Sequence, residues 1–219
     1  KLEANINANI RLLQGMVAVI GTEPHVTQQR FEALSKNLLQ NPSQIRNIVA
    51  APNLITTFVY PYERNKGFIG MWLLPPPGAQ ESIVKLRDEG KIIINGPVPL
   101  KNGSMGLIVT LPVTMKNDLG ENVFWGGLAG IVDLARLYED SGLRAPDLPL
   151  TVAISERSNT SGKVVLIDGK GEILEQDPVT MTVDLGNKRW AISAVPKGGW
   201  ESASKPDALI RTMITAMAG

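Results

Sequence analysis

The chain has 219 residues, 43% of them hydrophobic, with 22 basic and 21 acidic side chains. That length can bury one large core or two small ones, and the even charge balance points away from nucleic acid and anionic membrane surfaces as partners. Cysteine is absent and histidine occurs once, at His25, which excludes disulfides, thiolate metal centres and cysteine nucleophiles and leaves a transition metal little but carboxylates.

The amino end predicts a helix. Leu2, Ile6, Ile10, Leu13, Val17 and Ile20 recur at spacings of three and four, one apolar stripe, while Asn5, Asn7, Asn9 and Arg11 fall mostly off it. Gly21 closes that helix, and Thr22 followed by Pro24 restarts one whose inner face is Phe31, Leu34 and Leu38, stopped by Asn41-Pro42. From there the composition shifts. Residues 45–50, 54–60, 68–73, 91–98, 106–115 and 123–127 are rich in β-branched and aromatic side chains, and turn residues such as Pro52-Asn53, Asn65-Lys66-Gly67, Asn102-Gly103 and Asn117-Asp118 separate them. That pattern predicts an antiparallel sheet. One helix over 79–89 interrupts it, entered after the proline run 75–78 and closed by Gly90; Ile131, Leu134, Ala135 and Tyr138 form another helical face, closed by Gly142.

Residues 145–149, with two prolines, are the candidate linker. A smaller sheet is expected after it, from strands at 150–154, 163–168, 172–174, 179–185 and 189–195, with Asp168-Gly169 and Asn187-Lys188 at tight turns. A last helix follows, capped by Ser204 and opened by Pro206 with Asp207 at its positive end; Ile210, Met213, Ile214 and Met217 share its apolar face. The fold class is therefore α+β. Its parts are a stalk helix (1–22), a larger sheet domain (23–144), a smaller one (145–202) and a closing helix (203–219). The two terminal stripes are expected to pack on each other or on a second copy of the chain, which makes a homodimer.

Catalytic signals are few. No glycine stands at phosphate-loop spacing before Gly90-Lys91, Gly162-Lys163 or Gly169-Lys170, and no nucleophile elbow exists. Ser82 to Lys85 and Ser202 to Lys205 match a serine–lysine pattern too short to carry meaning alone. His25 is read as a solvated first-turn residue, Asp118 with Glu121 as a solvated turn, and Asp168-Gly169-Lys170-Gly171 as a hairpin. No enzyme, cofactor or metal site is expected. More informative are Ile94-Asn95-Gly96-Pro97-Val98-Pro99-Leu100, the run 106–113, and Phe124-Trp125-Gly126-Gly127. Two readings stay open: strand edges where Pro97 and Pro112 deny ladder hydrogen bonds, or a sheet left partly open around a small-molecule cavity with apolar walls and few polar groups.

Those segments resemble the CHASE domain, the extracytoplasmic sensor of bacterial receptor kinases and diguanylate cyclases and of plant cytokinin receptors. The resemblance rests on Tyr60-Pro61 with Asn65, Gly67-Phe68-Ile69-Gly70, the helix end at 86–90, Ile94 to Leu100, the strand at 107–113, and Trp125-Gly126-Gly127 with Val132-Asp133. Trp190-Ala191-Ile192 and Pro196-Lys197-Gly198-Gly199-Trp200 extend it, so that it covers about 45–200. It implies a stalk helix followed by two PAS-like antiparallel-sheet domains in tandem, a ligand-holding one far from the membrane and a smaller one near it. It also implies a periplasmic location, membrane spans on both sides of this region, and a cytoplasmic output domain beyond them. The chain starts at Lys1 rather than Met and has neither a signal peptide nor a membrane-spanning apolar run, so it is expected to be a fragment with its anchors in the flanks.

The family commonly has an acid two residues after the second glycine of the element at 68–73. Here Gly70-Met71-Trp72 puts an indole in that place. An adenine-type ligand held by a carboxylate becomes doubtful; an aromatic or apolar ligand stacked on the indole remains reasonable, the alternative being that Trp72 simply fills the pocket. The expected ligand contacts are Tyr60, Met71, Trp72, Ile94, Gly96, Thr110, Pro112 and Trp125. The alternative is a protein-interaction module with no small ligand.

Overall fold

The structure, a computed structural model, describes residues 1–23, 25–40, 43–74, 79–100, 103–157, 162–200 and 206–219, with side chains in the last segment from Ile210 onward. Pro24, Asn41-Pro42, the proline run 75–78, Asn102, the motif from Ser202 to Lys205 with its Ser204 cap, and the side chains of Pro206 and Asp207 lie outside what is described. The chain divides into two compact units, one of residues 8–134 and one of residues 1–7 with 135–219.

The first unit is built on a five-stranded antiparallel sheet of β1 (Ile45–Pro52), β2 (Phe58–Tyr60), β3 (Ile93–Pro99), β4 (Met105–Lys116) and β5 (Asn122–Asp133), in the order β2-β1-β5-β4-β3. β4, flanked by β5 and β3, is covered on both faces: Leu107, Val109, Leu111 and Val113 are buried on one side of the pleat, and Thr110 is buried on the other. Helix α1 (Leu2–Ile20) lays its stripe on the first of those faces. Leu13 fills the space above Gly130, where an added β-carbon would come within 2.7 Å of its Cδ1; burying such a leucine is worth about 2 kcal/mol. Helix α2 (Gln28–Leu38) is capped by Thr27, whose side chain accepts from the Arg30 amide. It anchors to β2 through the Phe31–Phe58 ring pair at 5.8 Å and through Gln28, whose amide both donates to and accepts from the Val59 backbone. Two shorter helices, α3 (Tyr62–Asn65) and α4 (Gln80–Arg87), complete this unit.

The second unit holds a four-stranded antiparallel sheet, β6 (Leu150–Arg157), β7 (Val164–Gly169), β8 (Val179–Asp184) and β9 (Arg189–Pro196), in the order β7-β6-β9-β8, together with most of α5 (Leu134–Asp140) and all of α6 (Pro206–Ala218). α6 buries Ile210, Ile214 and Met217 and packs on β8 and β9. The Lys1 amino group donates to the Ala216 carbonyl at 3.3 Å, so the two ends of the chain meet.

The α+β class, the long first helix and the two antiparallel sheets agree with the sequence reading; several elements differ from it. The stretch 68–73 is not a strand. Lys66–Phe68 is a single 3₁₀ turn, Gly70 has φ +85°, and one isolated bridge, Ile55 to Trp72, is all the pairing it makes. Gly171–Glu175 is likewise a 3₁₀ turn where 172–174 was expected to be extended. Ile131 belongs to β5 rather than to the following helix. Asp168-Gly169 is no hairpin turn: it pairs with Ile154 and Ala153 inside the β6–β7 ladder, and Gly169 is there because a β-carbon would sit 2.2 Å from the Val152 carbonyl oxygen. The stripe of α1 is Leu2, Ile6, Asn9, Leu13, Met16 and Ile20, all buried. Of the described apolar residues on α6, Ile210, Ile214 and Met217 are buried within the chain and Met213 is half-buried.

Candidate functional site

Directly paired residues of an antiparallel sheet point to the same face, so the register sorts the expected contacts. Thr110 pairs with Ile93 on one side and Ala129 on the other, and two residues on Pro112 pairs with Gly127. These share a face. Ile94 pairs with Val109, Val109 with Gly130, Gly130 with Ile48, and Ile48 with Tyr60. These lie on the opposite face, the one where Leu13 of α1 sits on Gly130. Thr110 and Pro112 are thus brought together, whereas Tyr60 and Ile94 lie on the opposite face.

Gly96 and Trp125 sit at irregularities. The β3–β4 register shifts between Asn95 and Val98, and Gly96, at φ +117°, passes so close to β4 that a β-carbon would be 2.8 Å from the Gly106 oxygen. Trp125 is the extra residue of a bulge in β5; its carbonyl accepts from the Asn53 amide at 2.9 Å. Met71 and Trp72 are each 54% exposed. Their segment runs beside residues 54–56, held by Gly70 N to Thr56 O, Thr56 N to Met71 O and Leu73 N to Leu54 O, each 2.8 Å.

That segment delivers residues the sequence reading did not single out. Leu73 packs inward, with buried Leu74 after it, while Met71 and Trp72 before it stay in solvent. A β-carbon on Gly127 would meet Leu73 Cδ2 at 2.6 Å, Leu86 Cδ2 at 3.5 Å and Thr110 Cγ2 at 3.6 Å. Thr110, Leu73 and Leu86 therefore converge above a position kept bare of side chain. Leu54, Leu74, Leu86 and Ile93 form the cluster around it, with Leu73 and Phe124 packed on its edge. The glycine pair 126–127 was the one sequence signal for this convergence.

Within this apolar setting Thr110 is fully buried, and among the described residues its Oγ1 has no hydrogen-bond partner. A buried hydroxyl left so costs about 1–3 kcal/mol, and valine would fill the same strand position without that cost. Charge is kept outside. On α4 and the turn after it, Lys85 pairs with Glu81, Arg87 with Asp88 and Lys91 with Glu89. The hydrogen bonds from Lys85 and Arg87 hold the exposed Glu81 and Asp88 carboxyls below their ordinary values.

A separate open cleft of about 460 Å³ lies in the second unit, lined by Arg157, Asp184, Lys188 and Arg189 among others. Its charges are committed to neighbours, Lys188 to Glu156 at 2.9 Å and Arg189 to Asp184 at 3.4 Å. Among the described residues no group of three or more His, Cys, Asp or Glu could hold a metal ion, and no helix is long and apolar enough to cross a membrane.

The family model described as the CHASE domain matches residues 16–167. No curated protein matches the chain. Among solved structures, the chain is similar to an extracellular ligand-binding receptor from Desulfohalobium retbaense, at TM-score 0.61 and 12% identity over 88% of this chain; it spans only 39% of that protein. It is similar to the periplasmic sensory domain of the Campylobacter jejuni chemoreceptor Tlp1, at TM-score 0.59 and 10% identity, covering 93% of this chain and 92% of that one. The ligand-binding domain of the Pseudomonas aeruginosa amino acid chemoreceptor PctC, in complex with GABA, aligns at TM-score 0.56 and 13% identity over 89% of this chain and 92% of that domain. At such identities the likeness is one of fold.

Proposed function

The chain belongs to the CHASE domain family, extracytoplasmic sensor domains of signalling receptors, and from that premise we propose that it binds a small molecule on the Thr110 face of its larger sheet and passes occupancy to α1. The observation that carries this is the buried, unpartnered Thr110 hydroxyl in a setting otherwise apolar. A polar atom kept at a cost to stability is the kind of group that orients a guest. The GABA complex of the similar Pseudomonas domain supports a fold that accommodates a small molecule.

The route to α1 is short. β5 separates the two faces: Gly127 lies against Leu73 on the guest side, and Gly130, three residues on, lies against Leu13 of α1. Neither glycine has a side chain to absorb a displacement, so a movement of β5 is felt at the helix. The guest must prefer one placement of β5 over the other, since only differential affinity shifts a balance of states. A tenfold shift takes about 1.4 kcal/mol, within reach of one or two hydrogen bonds. In the whole receptor, α1 and α6 would lead to membrane segments and so to a cytoplasmic output domain.

A protein partner is the second reading, favoured by Ile69, Met71 and Trp72, which stand 42%, 54% and 54% exposed within four residues. Thermal-shift screening of a metabolite library against the native chain and Thr110→Val separates the two. A guest at 100 times its Kd stabilises by about 2.7 kcal/mol, and that gain should shrink in the variant. No stabilising compound, or one that stabilises both proteins equally, ends the small-molecule reading at this site. Retained envelope partners that are lost in Trp72→Ala would then support the second.

A further inference from the structure

Resting on the reading of the Thr110 face as the guest site, we propose that the guest is uncharged and mostly apolar, carries a hydrogen-bonding group for Thr110 Oγ1, and takes the space that Leu73 fills above Gly127.

The walls argue for the apolar part. Leu54, Leu74, Leu86 and Ile93 are all at most 6% exposed, and Phe124 closes the edge. The charges nearest in the chain are committed outside: Lys85 with Glu81 at 2.5 Å, Arg87 with Asp88 at 2.7 Å, Lys91 with Glu89 at 2.6 Å, and, on the α3 side, Lys66 with Glu63 at 2.7 Å. A carboxylate or ammonium group brought in would lose its hydration and meet no counter-charge. A threonine hydroxyl both donates and accepts, so it satisfies one neutral polar group of either kind.

The space follows from Leu73. Its Cδ2 stands 2.6 Å from where a β-carbon of Gly127 would be, so the leucine occupies room that β5 leaves bare. Leu73 is only half-buried, unlike fully buried Leu86 beside it. It belongs to a segment attached by isolated backbone bonds rather than by a ladder. It is the side chain of this cluster that can leave with least disruption, which makes it a plug that the guest displaces.

Leu73→Ala removes the plug, and a leucine-sized void admits a single aromatic ring. Toluene, p-cresol, p-toluate and 4-methylbenzylammonium are titrated by calorimetry into the native chain, Leu73→Ala, Thr110→Val and the double variant. The expected results are p-cresol binding at least about tenfold more tightly to Leu73→Ala than to the native chain, and about three- to tenfold more tightly than toluene. Both ions should bind at least about a hundredfold more weakly than p-cresol. In the double variant p-cresol should fall to the level of toluene. If an ion binds as well as p-cresol while Thr110→Val still weakens binding, the uncharged class is overturned and the site stands. If no probe binds to Leu73→Ala, or all bind regardless of Thr110, the site reading falls with it. Should Leu73→Ala fail to fold, the preference of the native chain for p-cresol over toluene, and its loss in Thr110→Val, decides the same question.

Discussion

Asn9, on the inner face of α1, donates from Nδ2 to Gln44 Oε1 at 2.6 Å and is itself only 2% exposed. The Gln44 carbonyl in turn accepts the Asp133 amide at 2.8 Å, and the buried Asp133 carboxylate pairs with Arg46. One amide thus fixes the register of α1 against the sheet end where β1 starts and β5 finishes. Asn9→Ala is expected to cost about 1 kcal/mol, because it removes a part-buried side-chain hydrogen bond. Urea denaturation of Asn9→Ala, Gln44→Ala and the double variant should give a coupling of about 0.5–1.5 kcal/mol; additive losses would show that the pair does not hold the helix.

Gly126 and Gly169 should resist substitution where Gly186 does not. A β-carbon on Gly126, at φ +156°, would lie 2.1 Å from the Ala51 carbonyl oxygen, and one on Gly169, at φ +88°, 2.2 Å from that of Val152. Backbone cannot move aside cheaply in a ladder. Gly186, at φ +77°, has nothing within 4 Å. Alanine at Gly126 or Gly169 is expected to cost more than about 3 kcal/mol and at Gly186 about 1 kcal/mol. Equal melting temperatures across the three variants would contradict this.

Tyr138 gives the fold an alkaline limit. The residue is 2% exposed, its hydroxyl has no hydrogen-bond partner among the described residues, and the Arg144 guanidinium stands over the ring at 5.3 Å. Burial first, and the Asp168 carboxylate second, push the phenol well above its ordinary value, with Arg144 acting the other way. Below pH of about 10 both folded and unfolded tyrosine are protonated, so the folded state loses nothing. Above it the unfolded chain ionises and the folded one does not, so stability falls as pH rises toward the raised folded value. Tyr138→Phe should flatten that fall and, by removing an unsatisfied hydroxyl, raise neutral-pH stability by up to about 1 kcal/mol. An unchanged slope of stability with pH between 10 and 11 in the variant would rule it out.

The sequence made the apolar frame legible and hid the polar exceptions. Leu2, Ile6, Leu13 and Ile20 announced α1 because spacings of three and four put them on one side. Asn9 did not, since an amide among other asparagines looks like surface until its partner is known. β4 and β5 were found but not their faces. Side chains alternate every residue, so a shift of one inverts the assignment: Ile94 pairs with Val109 and Thr110 with Ile93, which puts Ile94 and Thr110, both expected to touch a ligand, on opposite faces. Leu73 was hidden for a related reason. Residues 68–73 have the side chains of a strand, but Gly70 at positive φ breaks it, leaving Met71 and Trp72 exposed and Leu73 turned in.

Thr110→Val should move stability and binding in opposite directions. The two side chains are nearly the same shape, and the methyl Cγ2 that faces Gly127 is kept. What is lost is a hydroxyl buried without a partner, so the empty domain is expected to gain about 1 kcal/mol, read as a rise of about 2–4 °C in melting temperature. A guest bonded to that hydroxyl should bind about three- to tenfold more weakly. A threonine retained for packing alone would give the same gain in stability and leave binding unchanged, and one held by an internal hydrogen bond would lose stability on replacement. Only a group whose partner arrives from outside the chain gives a more stable protein that responds less. Urea denaturation of the empty domain, set beside ligand-induced melting shifts of the same two proteins, measures both signs, and a destabilised variant would remove Thr110 from the site.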